Sequence, residues 1–149
     1  MELVCGSLWI PFLCRKLEFV PTPTAQSIVC TQEGKFVAGA LFDHYNGAIV
    51  GAHIVVEGRP CKEWYVCIFD YPFHVLQVTK IIGQVSSLNK KALRLDKNLG
   101  FVEEARIRNF LPSGADMVYL TMRPDQCRIF NDPLWAKVVQ KVVRNGRNK

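Results

Sequence analysis

The stretch "NKKALRLDKNLGF", residues 89–101, constrains the fold more than any other part of this chain. Upstream of it, "TKIIGQVSS" is a short, almost wholly apolar segment, the pattern of a strand buried on both faces. Downstream, "VEEARIRNF" alternates apolar and polar residues as a half-exposed strand does. Between them Asn89 is a residue type that caps a helix by accepting a backbone N–H, and Gly100 one that ends a helix through a left-handed turn. The spacing predicts a strand at 79–87, a helix at 89–98 and a strand at 101–110.

Two more strand signals precede this unit. "SIVCTQEGKFVAGALFDHYNGAIVGAHIVVEG" reads as a meander with turns at Gln32–Lys35 and at Asn46-Gly47, giving strands near 27–31, 35–43 and 48–57. In "CKEWYVCIFDYPFHVLQ", Trp64, Cys67, Ile68, Tyr71 and Val75 recur at spacings of three and four, which predicts a helix that Pro72 kinks or loosens in its last turn. "MVYLTMRPDQCRIF" supplies a last strand, ended or interrupted at Pro124. The order is three antiparallel strands, helix, strand, helix, strand, strand. It predicts a mixed α/β (α+β) fold: a mostly antiparallel sheet, flanking helices, and strands 48–57 and 79–87 as a parallel pair splayed at their C-terminal ends.

With 149 residues and 49% hydrophobic content the chain suits one domain, 1–149, with a substantial core. Residues 1–26 fit the pattern least, since Pro11 and Arg15 interrupt their apolar run and "PTPTAQ" is linker-like. No apolar run is long enough for a membrane span, and no basic leader precedes the first apolar residues, so a cytoplasmic protein is expected, in a host cytoplasm if phage-encoded. The six cysteines show no CxxC pair and read as reduced thiols in apolar contexts, and the three histidines do not join them at metal-ligand spacings, so no metal site is expected.

The net charge is +6. Much of it lies at Lys90, Lys91, Arg94 and Lys97 and in the tail 131–149, where Trp135, Val138, Val139, Val142 and Val143 form an apolar stripe. That amphipathic tail could cover its own domain, a second copy or another protein. The charge suits an anionic partner, but no nucleic-acid motif accompanies it.

This order, with Asn89, Ala92 and Leu99-Gly100-Phe101 at these offsets and Glu104 three residues on, resembles the GNAT superfamily of acetyl-CoA-dependent N-acetyltransferases. The likeness is best over residues 63–128 and is nearest to short phage-encoded and ribosomal-protein-type members. It implies acetyl-CoA as the acyl donor, its pantetheine arm lying in the splay beside Asn89 and Lys97 and against the backbone of Val55 and Val56. It also implies an amine acceptor on a protein or small molecule. In the family a glycine-rich loop at a helix N-terminus binds the pyrophosphate. The matching residues here are "VEGRPCK", 56–62, where Gly58 is the one glycine, Pro60 lacks an amide donor, and Arg59, Cys61 and Lys62 remain.

Many members carry a tyrosine seven residues after the Asn, which protonates the departing thiolate. Asp96 stands there, and an exposed aspartate is ionised at neutral pH, so it could act only with a strongly raised pKa. Tyr119 is the substitute acid by residue type, although its strand position equally suits a core aromatic. For the base that deprotonates the amine, "GAHIVVEG" offers His53, which titrates near neutrality unaided, and Glu57, acting through a water. His53 could equally be a satisfied strand histidine. The eroded loop and the missing tyrosine also admit a non-catalytic module on the same fold, a phage virion, assembly or host-interaction protein.

Overall fold

In the computed structural model, which describes residues 1–147, seven strands form one sheet in the order β1-β2-β3-β4-β5-β7-β6. The strands are β1 Glu2–Gly6, β2 Gln26–Gln32, β3 Lys35–Asp43, β4 Ile49–Val56, β5 Lys80–Ser86, β6 Val102–Ile107 and β7 Met117–Met122. All pairs are antiparallel except β4 with β5. The expected parallel pair is therefore present, and it is short. It ends at Gly51 opposite Ile82, although β4 continues to Val56 and β5 to Ser86. Beyond that point the two strands diverge.

One face of the sheet carries α2 Lys62–Asp70, and the main core lies between them around Trp64, Ile68, Phe69, Val50, Ile81 and Leu120. Trp64 is fully buried and its indole donates to the Ile28 carbonyl at 3.0 Å, so its polar end is satisfied as well as its apolar body. After α2 the chain continues through a π-helical turn, Tyr71–Val75, in which Pro72 sits in the first turn. The proline loosens the last turn, as expected, because it has no N–H to give to the regular ladder.

The opposite face carries α1 Ile10–Leu17, over a smaller core of Leu13, Ala25, Val29 and Leu41. Neither β1 nor α1 was expected from the sequence. Pro11 occupies the first turn of α1, where a missing N–H costs nothing, so it opens a helix there instead of interrupting an apolar run.

α3 Lys90–Leu99 is bounded as its sequence predicts: Asn89 accepts from the Ala92 amide at 3.2 Å, and Gly100, at φ 114°, returns its N–H to the Asp96 and Lys97 carbonyls. A side chain at Gly100 would collide with the Gln126 carbonyl, so the residue serves both backbone turn and close approach. Glu104 spans three strands from β6, accepting from Thr121 on β7 at 2.5 Å and pairing with Lys80 on β5 at 3.0 Å.

The chain ends in α4 Arg128–Asn131 and α5 Ala136–Arg147. The stripe on α5 lies against its own domain: Val138, Val139 and Val142 pack on the main core and Lys141 pairs with Glu63 of α2 at 3.0 Å. Asn148 and Lys149, the last residues of the expected tail, fall outside the described residues. No helix among the described residues is long and apolar enough to cross a membrane. All six cysteines are free.

Candidate active site

The divergence of β4 from β5 opens a cleft of about 460 Å³, floored by Gly83, Val85 and Phe101 and walled by Ala52, His53 and Ile54. α3 closes one side with Asn89, Ala92 and Asp96; the end of α1 and the residues after it, Lys16 to Phe19, close another. A second cavity of about 300 Å³ continues from it along β4 and past Val55, Val56, Glu57 and Lys91. The two share Lys16, Leu17, Ile54, Asn89 and Ala92, so one channel runs from the floor of the splay to Glu57, just past the end of β4.

Strand geometry decides which backbone groups face the channel. The Glu57 amide donates to the Val37 carbonyl on β3 at 2.9 Å, whereas the Val56 carbonyl faces α3 and accepts from Lys91 at 3.5 Å. Alternation therefore turns the N–H and C=O of Ile54 and Val56 into the splay and those of Val55 back toward β3. Val55 contributes its side chain to the wall but not its backbone, against the sequence expectation.

Asn89 faces both parts of the channel. Its Oδ1 is engaged by the Ala92 amide, and among the described residues its Nδ2 has no partner, so it can donate to a carbonyl in the channel. Two turns along the same face of α3 comes Asp96, which is 8% exposed and forms no side-chain hydrogen bond or ion pair among the described residues. Burial raises its pKa from 3.8 to about 7. Asp96 is therefore not the exposed aspartate its sequence context suggests, and the condition under which it could act as an acid, a strongly raised pKa, is met through burial. The spacing Asn89, Ala92, Asp96 (i, i+3, i+7) was the available signal that all three share a helix face.

His53 lines the cleft from β4, half-buried, its ring 4.5 Å from that of Phe19. Burial pushes its pKa below 6.5; Asp43, diagonally across on β3, pulls it back up, and His44 adds to the depression. Asp43 is itself buried. Burial raises its pKa, but the Thr22 hydroxyl, the Thr22 amide and the His44 amide more than offset this and hold the carboxyl below its ordinary value. A carboxylate that stays ionised faces the imidazole across the sheet.

The other expected site residues are not gathered here. Glu57 lies at the far end of the channel, paired with Lys16. Tyr119, on β7, stands opposite Gln84 but does not line the cleft. Lys97 lines a separate shallow groove with Gly100, Gln126 and Arg128.

The 58–62 loop is only partly available to an anion. The Glu57 and Gly58 amides both donate to Val37, Lys62 sits over the Trp135 ring at 5.7 Å, and Glu63 places a carboxylate in the first turn of α2. What remains is the exposed Arg59 and the start of α2, where Cys61 holds the cap position without a side-chain cap bond. Lys91, which no motif in the sequence assigns to the site, adds a cation at that end of the channel.

This sheet, with its splayed parallel pair and amide-capped α3, is the GNAT fold. A spermidine N-acetyltransferase from Vibrio cholerae, in a dodecameric structure, is similar with a TM-score of 0.65 at 15% identity, over 89% of this chain and 98% of that one. Campylobacter jejuni N-acetyltransferase PseH in complex with acetyl coenzyme A gives 0.55 at 15% identity, over 77% of each chain. A GNAT-family acetyltransferase from Bacillus anthracis gives 0.54 at 17% identity, over 66% of this chain and 65% of its own. At these identities the likeness is one of fold. In sequence, no family profile and no curated protein matches the chain.

Proposed function

We propose that this protein is an acetyl-CoA-dependent N-acetyltransferase acting on an amine of a protein or small molecule. The observation that carries the reading is the channel itself. It runs in the splay between β4 and β5, is bordered by the backbone of Ile54 and Val56 and the amide of Asn89, and holds two titratable groups shifted by burial: His53, lowered from its ordinary value, and Asp96, raised to about 7. PseH, which shares the fold, holds acetyl coenzyme A.

In this reading the pantetheine arm lies along β4 and α3 and pairs with Ile54, Val56 and Asn89. The acceptor enters past Phe19 and Leu111. His53, neutral above its depressed pKa, takes the proton from the ammonium, and the free amine attacks the thioester carbonyl. A β4 N–H supports the developing oxyanion. As the tetrahedral centre collapses, the C–S bond breaks, protonated Asp96 gives its proton to the leaving thiolate, and the second proton of the attacking nitrogen passes to the Asp96 carboxylate so formed, which restores the acid while His53 returns its proton to solvent. Amide formation from a thioester is downhill, so positioning supplies much of the rate. Arg59, Lys91 and the start of α2 carry the pyrophosphate.

A second reading, a GNAT-fold binding module without chemistry, is favoured by one observation: Val37 already takes the two amides that begin the pyrophosphate loop. Calorimetric titration with acetyl-CoA and desulfo-CoA separates the two. Micromolar binding supports the enzyme, with a fall of roughly tenfold or more in Arg59→Glu/Lys91→Glu. No binding by the parent chain at millimolar ligand would leave the module.

A further inference from the structure

α2 faces the β1–β2 edge of the sheet with two cysteines, Cys61 before its first turn and Cys67 within it. Cys30 points up at α2 from β2, and its Sγ lies 4.0 Å from that of Cys61. We propose that Cys30 and Cys61 are a redox pair whose disulfide ties the start of α2 to β2 and weakens the site that receives the cofactor's pyrophosphate. The consequence for the cofactor rests on the acetyltransferase reading; the disulfide itself does not.

The two thiols are in van der Waals contact, and a bond of about 2.05 Å needs them to close by roughly 2 Å. Cys30 is held within the sheet and has no exposure, so Cys61 must move. It is placed to do so: it has extended backbone, lies outside the helix, and follows the surface residues Arg59 and Pro60. Its partial exposure also makes it the sulfur that an outside reagent reaches first. Burial raises the pKa of the Cys30 thiol, and pushes those of Cys67 and Cys127 up to about 11, so the first attack on an outside reagent falls to the partly exposed Cys61 and Cys30 reacts only with the mixed disulfide brought against it.

With a low-molecular-weight disulfide such as oxidised glutathione, the Cys61 thiolate attacks one sulfur and releases one glutathione thiol. The Cys30 thiol then loses its proton and displaces the second glutathione from Cys61. Two protein thiols become one disulfide, one glutathione disulfide becomes two thiols, and the two protons leave on them. The loop is already pinned at its other end, where Glu57 and Gly58 donate to Val37. Drawing Cys61 toward β2 therefore displaces the uncommitted segment 59–61 and the first amides of α2.

The test treats the native full-length chain with oxidised glutathione, alkylates the remaining thiols and maps the disulfide by mass spectrometry. A Cys30–Cys61 peptide, reversed by dithiothreitol and still formed in Cys5→Ser, is expected. Only a glutathione adduct on Cys61, or a Cys5–Cys67 bridge in its place, would overturn the proposal. The oxidised chain should bind acetyl-CoA at least tenfold more weakly than the reduced one, and in Cys61→Ser the oxidant should leave affinity where it started. Equal affinity of the bridged and reduced forms overturns the regulatory half. If the reduced parent binds no acetyl-CoA, it is the acetyltransferase reading that fails, while the peptide map still decides the disulfide.

Discussion

Asp96→Asn is expected to make this protein more stable at pH 8, and by an amount that burial sets. The residue is 8% exposed, and its carboxyl lacks a partner among the described residues and titrates at about 7 instead of 3.8. Below pH 3.8 both folded and unfolded chains carry the proton, and the group costs nothing. Between 3.8 and about 7 the unfolded chain ionises while the folded one stays neutral, so stability falls as pH rises. Above about 7 the loss is complete: roughly 3 units at about 1.36 kcal/mol each, or about 4 kcal/mol. The amide of Asn keeps the shape without the charge but has its own burial cost of about 1–2 kcal/mol. The net gain at pH 8 is therefore about 2–3 kcal/mol, which for a chain of this size raises Tm by about 4–12 °C. At pH 4 the gain should vanish or reverse. Thermal melts of both proteins from pH 4 to pH 8 measure it without any assay of activity. A Tm difference that stays constant across that range would refute the argument, as would a carboxyl resonance for Asp96 with its midpoint below pH 5.

Two further outcomes follow from the same geometry. His53→Gln should lower acetyl transfer by roughly a hundredfold near neutrality, leave acetyl-CoA affinity close to the parent's, and remove the acidic limb of the rate profile, whose midpoint in the parent lies below 6.5; a mutant acetylating at the parental rate removes His53 from the mechanism. Gly100→Ala should cost more than about 2 kcal/mol in chemical denaturation, because φ is 114° and the new methyl would overlap the Gln126 carbonyl. A loss under about 1 kcal/mol would mean that α3 and the Gln126 turn separate freely.

What was legible in the sequence was what is decided locally. Asn89 and Gly100 bound α3 through hydrogen bonds within a few residues, and Asn46 fixes the β3–β4 turn by accepting from the Ala48 and Ile49 amides, so their sequence signals carried through. α1 was missed because Pro11 means one thing inside a helix and another in its first turn, and nothing local distinguishes the two. The site was harder, because its properties come from contacts distant in sequence. Val37 consumes the Glu57 and Gly58 amides from the neighbouring strand, and Lys16 neutralises Glu57 from another helix. Asp96 looks solvated in a run of lysines and arginines. Its burial comes from α3 lying over the splay, and the sequence shows only the heptad spacing to Asn89.

A buried carboxyl without a partner among the described residues also bears on the two functional readings. A binding module has no use for a near-neutral acid in the wall of its cleft, whereas thioester chemistry needs one where the thiolate leaves. If Asp96 faces the departing sulfur, its ionisation should be felt by that sulfur and by no other part of the cofactor. CoA, which carries the thiol, should bind progressively more weakly as pH rises through about 7, because the ionised carboxylate then opposes the polarisable sulfur and any thiolate it forms. Desulfo-CoA has the same pantetheine arm and phosphates but lacks the sulfur, so its affinity should show no step at that pH. In Asp96→Asn the step in CoA affinity should disappear while desulfo-CoA binding is unchanged. Paired titrations of both proteins with both ligands at pH 6 and pH 8 measure these affinities. Parallel pH profiles for CoA and desulfo-CoA in the parent would place Asp96 away from the sulfur and leave the reaction without its acid.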